Sequence, residues 1–183
     1  MPLPPAPLKI AIIGAGVAGR SFALASAASG FRVVLEDVMP AKLRHAEQQF
    51  SSLGHAVELV STVEDAVRTA DLAVDFVPDE LESKLEIWSL IDRMAPPRTI
   101  MLTPSETLSI TDLASCTYRG DRCLMVRGTL SGSSPLRLLT ARGASHATIA
   151  TGLTFLHQLG YEAAAEHDPD LPMLLKNMNA STL

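Results

Sequence analysis

Gly14-Ala15-Gly16-Val17-Ala18-Gly19 follows a short apolar run, residues 9–13, and leads straight into an Ala- and Ser-rich stretch, residues 17–29. An apolar run of that length ending in glycine reads as a parallel strand buried on both faces. The stretch after it reads as a helix whose small side chains let it sit close to a sheet, with Gly30 as its stop. Between a strand and a helix, glycines at this spacing have separate jobs. Gly14 makes the tight turn, Gly16 lets a pyrophosphate approach bare backbone, and Gly19 lets the helix pack closely on the strand. The amides of Val17 and Ala18, at the start of the helix, face the phosphate charge. About 20 residues on, where a dinucleotide-binding turn requires an acid, the strand over residues 32–37 ends in Glu36 and Asp37. A carboxylate at Asp37 accepts both hydroxyl hydrogens of an adenosine ribose and repels a 2′-phosphate. The expected cofactor is NAD rather than NADP.

The remaining chain continues the alternation. A helix opened by Pro40 runs over residues 40–53, a strand over 57–60, and a helix over 62–69 capped by Ser61 or Thr62. Further strands are expected at 72–77, 99–102 and 123–126, with helices at 81–94 and 111–116. After Arg127 come a Gly- and Ser-rich loop, a strand at 136–140, a helix at 144–159 and a last strand at 161–165. This order predicts an α/β fold: a Rossmann-type, doubly wound, mostly parallel sheet in a single domain. The expected domain spans residues 9–166, between a Pro-rich N-terminal tail (1–8) and a C-terminal tail (167–183). A length of 183 residues fits one domain.

Net charge narrows the partners. At −5 with acids spread along the chain, nucleic acid is a poor partner. Cys116 and Cys123 have neither CxxC spacing nor a histidine cluster, so no metal site is expected and a reducing cytoplasm fits. No apolar run is long enough to span a membrane, and the N-terminus has no signal-peptide pattern.

Residues 9–126 closely resemble the NAD-binding domain of the 3-hydroxyacyl-CoA dehydrogenase family. The resemblance is carried by the strand and glycine loop, VVLED, STVEDAV, ADLAVDFVPDELESKLEIW, RMAPPRTIMLTPSETLSITDLAS and CTYRGDRC. It implies NAD bound on this domain and hydride exchange with the 3-hydroxyl carbon of an acyl-CoA, in fatty acid metabolism. It places Asp37 on the adenosine ribose and the backbone of Phe76 and Val77 under the cofactor. It places Asp79 and Lys84 near the nicotinamide-side ribose.

The departures concern catalysis. Where the family carries Asn-Thr-Ser-Ser after its fifth strand, this chain has Pro104-Ser105-Glu106-Thr107. Where the family carries a proton-accepting histidine after its sixth strand, this chain has Arg127, which keeps its proton at any workable pH. The glutamate that orients that histidine has no counterpart at Leu138-Leu139-Thr140. Ser105, Glu106 and Arg127 are the remaining catalytic candidates, with Arg127 as a polariser of a carbonyl. Ser131, Ser133 and Ser134 share their edge of the sheet, and His45, His55, His146, His157 and His167 read mainly as surface or helix residues. The family's helical C-terminal domain is expected to be absent. A homodimer or hetero-complex is expected, with residues 171–175 covering apolar surface. A non-catalytic NAD(H)-sensing or interaction module, and one chain of a two-chain dehydrogenase, are the alternatives.

Overall fold

The computed structural model describes residues 8–131 and 134–169. In chain order the elements are β1 (Lys9–Ile13), α1 (Val17–Ala28), β2 (Arg32–Glu36), α2 (Pro40–Leu53), β3 (Val57–Val60), α3 (Val63–Val67), β4 (Leu72–Asp75), α4 (Leu81–Met94), β5 (Ile100–Pro104), α5 (Ile110–Ser115), β6 (Cys123–Arg127), β7 (Leu136–Thr140), α6 (His146–Gln158) and β8 (Ala163–His167). The strands form one sheet in the order β3-β2-β1-β4-β5-β6-β7-β8. Every described neighbour pair is parallel except β6 with β7. The expected Rossmann-type α/β architecture is the observed one.

Alternation along β1 explains the layering. Ile10 and Ile12 enter one core with Phe22, Phe50 and Phe155, while Ala11 and Ile13 enter the other with Val63, Trp88 and Ile91. Successive strand residues point to opposite faces, so a strand apolar at every position needs helices on both sides. Small residues set how closely those helices approach. In α6, a Cβ at Gly152 would lie 2.5 Å from Leu124 Cδ1 on β6. Helix ends follow their expected chemistry: Thr62 accepts the Asp65 amide to cap α3, Pro40 opens α2, and Gly30 has φ +87° behind α1. Arg119 donates to the carbonyls of Asp92, Ala95 and Pro96 and closes the C-terminal end of α4.

One boundary moves. β8 lies two residues further along than the sequence pattern places it and takes in His167, the first residue assigned to the C-terminal tail. Asp168 continues it, its amide on the Thr140 carbonyl and its carboxylate on Ser109 and the Thr111 amide. An alanine run has no alternation to mark its ends, so pairing with β7 decides them. Residues 1–7, Ser133 and residues 171–175 lie outside the described residues.

Candidate functional site

The strand order reverses between β1 and β4, and the loops after these two strands meet at the carboxyl edge of the sheet. Gly14 adopts φ +104°, and a Cβ there would lie 3.1 Å from the Phe76 carbonyl oxygen. A Cβ on Gly19 would lie 1.9 Å from the Gly14 carbonyl oxygen, so α1 reaches its seat only without a side chain at that position. Gly16 caps α1 without a side-chain acceptor, and a Cβ there would meet open space. Bare backbone at the positive end of a helix therefore faces an open cleft, which is what a pyrophosphate requires.

That cleft has a volume of about 650 Å³ and is lined by Gly14, Gly16, Glu36, Asp37, Phe76 and Val77 among others. Asp37 Oδ2 accepts the Ala15 amide at 2.9 Å and the Lys42 ammonium at 3.1 Å, and Oδ1 accepts the Met39 amide at 2.9 Å. Burial alone would raise the Asp37 carboxyl, but the two amides and Lys42 outweigh it and hold it below 3.8. An ionised carboxylate has about four acceptor positions. Ala15, Met39 and Lys42 take three of these positions, and the carboxylate borders the cleft. Glu36, the other acid of the pair, is 3% exposed and lines the same cleft. Burial first, and the charge of Asp37 second, push its carboxyl up from 4.5 to about 7 against the pull of Lys42.

Asp79, Ser105 and Glu106, on the loops after β4 and β5, come together with Arg127, the last residue of β6. They bond to one another's backbone. Asp79 Oδ2 accepts the Glu106 amide at 3.0 Å, and Glu106 Oε1 accepts the Gly128 amide at 2.9 Å. Ser105 Oγ accepts the Thr107 and Leu108 amides, and Arg127 donates to the carbonyls of Ser105 (3.3 Å) and Leu108 (2.5 Å). The Arg127 guanidinium is turned onto the β5–α5 loop, where two of its five N–H donors are engaged.

Lys84 is 1% exposed, with its ammonium 2.7 Å from Asp75 Oδ1 and 3.2 Å from the Pro104 carbonyl. Trp88 Nε1 donates to the second Asp75 oxygen at 2.8 Å. Lys84 thus joins α4 to the ends of β4 and β5 below the cleft. His157 Nε2 lies 3.1 Å from the Ala163 carbonyl and His167 Nδ1 lies 3.1 Å from Thr140 Oγ1, both within the β7–β8 end of the fold. Ser131 and Ser134 are exposed.

Sequence reasoning missed Lys42 as a partner of Asp37, Glu36 as a lining group, and the apolar wall of Val38, Val63, Ile87 and Leu90. The acidic end of VVLED carried the Glu36 signal, because the carboxyl ends of strands border the cleft of an open α/β sheet. The wall comes from three separate segments and has no local signature. Among the described residues no group of His, Cys, Asp and Glu is arranged to hold a metal ion, and no helix is long and apolar enough to cross a membrane.

A parallel sheet with a glycine turn where its strand order reverses, opening on a cleft at the carboxyl edge, defines a dinucleotide-binding α/β domain. The sequence matches the family described as "3-hydroxyacyl-CoA dehydrogenase, NAD binding domain" over residues 9–58 and 43–127. The chain belongs to that family, and the cofactor of this domain is NAD. A Bacillus subtilis protein named "Probable 3-hydroxybutyryl-CoA dehydrogenase" is 27% identical over 134 residues, which cover 63% of this chain and 46% of that protein. The mitochondrial hydroxyacyl-coenzyme A dehydrogenase of Sus scrofa is 28% identical over 136 residues, 62% of this chain and 43% of that protein. A solved 3-hydroxyacyl-CoA dehydrogenase of Archaeoglobus fulgidus superposes with a TM-score of 0.77 at 26% identity, covering 95% of this chain and 60% of that one. The alignments span less than half the length of these two curated relatives.

Proposed function

We propose that this chain holds NAD(H) across its glycine turn, and that residues 8–131 and 134–169 do not themselves supply the proton acceptor for 3-hydroxyacyl-CoA oxidation. The observation that carries this reading is Arg127. It stands where the resemblance expects the histidine, and its guanidinium donates to the Ser105 and Leu108 carbonyls. An arginine already holds its proton, and one engaged by two carbonyls is building the loop.

The cofactor half is better equipped. NAD, when bound, supplies the hydride acceptor. The open backbone at Gly16 and the first amides of α1 hold the pyrophosphate, with Ala15 kept in place by Asp37. Asp37 Oδ1 takes a ribose hydroxyl, while Val38, Val63, Ile87 and Leu90 exclude water from the adenosine end. At the other end the Asp79–Glu106–Gly128 chain holds the three loops in one arrangement. An acyl-CoA is the second ligand of this reading. A partner subunit that brings a base to this rim would complete a dehydrogenase. Without one, the chain is an NAD(H)-responsive binding module, and the cytoplasm is the compartment this reading gives it.

Calorimetric titration with NAD⁺, NADH and NADPH tests the first half, with binding of NAD⁺ or NADH expected. An NADH-oxidation assay with acetoacetyl-CoA tests the second, with no appreciable turnover expected. Robust turnover with a titration near the usual imidazole pKa of about 6.5 would overturn it and direct mutagenesis to His146, His157 and His167. Light scattering separates monomer from homodimer, and co-purification from the source cell detects a hetero-complex.

A further inference from the structure

We propose that the Glu36 carboxyl group recognises the adenine ring of the dinucleotide, accepting a hydrogen bond from its exocyclic amine and donating one to the neighbouring ring nitrogen. The proposal rests on NAD(H) binding in this cleft and adds a residue that selects the base.

Among the described residues, one buried side-chain N or O atom has no hydrogen-bond partner: Glu36 Oε1. The contrast with other buried carboxylates is sharp. Asp75 is held by Lys84 and Trp88, Asp92 by Arg119 and the Tyr118 amide, and Asp37 by two amides and Lys42. Buried polar groups are nearly always satisfied; Glu36 Oε1 is shielded from solvent, so a ligand completes its bonding through a rotation of the carboxyl group into the cleft that Glu36 lines. Glu36 lines the cleft that contains the glycine turn, in register with Ile13 on β1 and Val60 on β3.

The surroundings suit a flat base. Val38, Val63, Ile87 and Leu90 line the same cleft and offer apolar contact to ring faces. A base between them needs one edge read by polar groups. Adenine presents a donor amine beside an acceptor nitrogen, the pattern that a Gln or Asn amide reads with two hydrogen bonds. A neutral carboxyl group has the same donor and acceptor pair. Glu36 is neutral over an unusually wide pH range, because burial and the Asp37 charge lift it to about 7.

The charged groups facing it are few. Lys42 on α2 and Asp37 beside it carry opposite charges and pair with each other. On α4, Glu86 lines the cleft and is exposed. On α3, Val63 lines the cleft, while Glu64 and Asp65 are exposed. Ile13 and Val60, its register partners on the flanking strands, cannot titrate.

The test is calorimetric binding of NAD⁺ and of etheno-NAD⁺, whose exocyclic amine is closed into an additional ring. It is run from pH 6 to 8.5 on the unaltered chain, Glu36→Gln and Glu36→Val, with circular dichroism confirming the fold of each. For the unaltered chain, NAD⁺ affinity should fall about tenfold as pH rises through this range and Glu36 loses its proton, the scale of one base-reading contact. Glu36→Gln should bind NAD⁺ as tightly as the unaltered chain at pH 6 and show no such pH dependence. Glu36→Val should bind NAD⁺ about tenfold more weakly at pH 6 and should narrow the preference for NAD⁺ over etheno-NAD⁺. If NAD⁺ binds with an affinity that is flat or tightens with pH, or if Glu36→Val binds it as tightly as the unaltered chain, the proposal fails and the cofactor reading stands. If the unaltered chain binds no NAD⁺ at any pH, both fail.

Discussion

The Asp37 carboxylate accepts the Ala15 amide at 2.9 Å, across 22 positions of sequence, so the acid at the end of β2 holds the glycine turn after β1 in shape. The residue proposed to meet the ribose therefore also shapes the turn proposed to hold the pyrophosphate. Asp37→Ala should weaken NAD(H) by about 1.5–3 kcal/mol, the worth of a charge-assisted hydrogen bond, and should also lower the melting temperature. Titration calorimetry and thermal unfolding measure the two effects. Equal affinity of the unaltered chain for NADH and NADPH would contradict the ribose role.

Gly16 and Gly19 separate binding from folding. A methyl group at Gly19 would lie 1.9 Å from the Gly14 carbonyl, whereas one at Gly16 meets open space. Gly19→Ala should therefore destabilise the fold by about 1–3 kcal/mol through overpacking. Gly16→Ala should leave the melting temperature nearly unchanged and still weaken NAD(H), because its methyl group occupies the approach of the pyrophosphate. Equal melting temperatures for both variants would argue against this division of labour.

Lys84 and Asp75 form a buried ion pair, 1% and 0% exposed. Lys84→Met leaves the Asp75 carboxylate without its cation and should destabilise the chain by about 3–5 kcal/mol. The double variant Lys84→Met, Asp75→Asn should recover most of that loss. Urea denaturation measures both, and a Lys84→Met chain as stable as the unaltered one would show that the pair adds nothing.

Glu36 gives stability a pH dependence of definite sign. Folding lifts its carboxyl from 4.5 to about 7, so the folded chain keeps a proton that the unfolded chain has released. Its contribution is fully present below pH 4.5 and is lost as pH rises through 7. Glu36→Gln should raise the melting temperature at pH 8, with the gain closing as pH falls below 4.5. A gain of the same size at every pH would point to packing instead.

Much of the fold was legible because its signals are local. KIAIIG, the Ala- and Ser-rich helix and the acidic end of VVLED each declare an element within a few residues. Pro40, Thr62 and Gly30 mark helix ends through backbone chemistry that needs no distant partner. β8 was placed two residues early because Ala163, Ala164 and Ala165 present no face to read, and only pairing with Leu136, Arg137 and Leu138 sets the register. At the rim, sequence brought Ser105, Glu106 and Arg127 forward as polar groups at a carboxyl edge. It had no means of showing that they bond to one another's loops.

The sequence by itself determined the glycine turn, the acid pair and the order of strands and helices, because turn geometry and hydrophobic period act over short stretches. Tertiary structure alone decided what each polar group has left to offer. Asp37 has three acceptor positions taken, Arg127 is engaged by two carbonyls, Lys84 is sealed under the sheet with Asp75, and Glu36 Oε1 is left without a partner. The physical reason is that hydrogen-bond capacity is settled by whichever donors and acceptors the packed chain brings within about 3 Å, and those come from residues far apart in sequence.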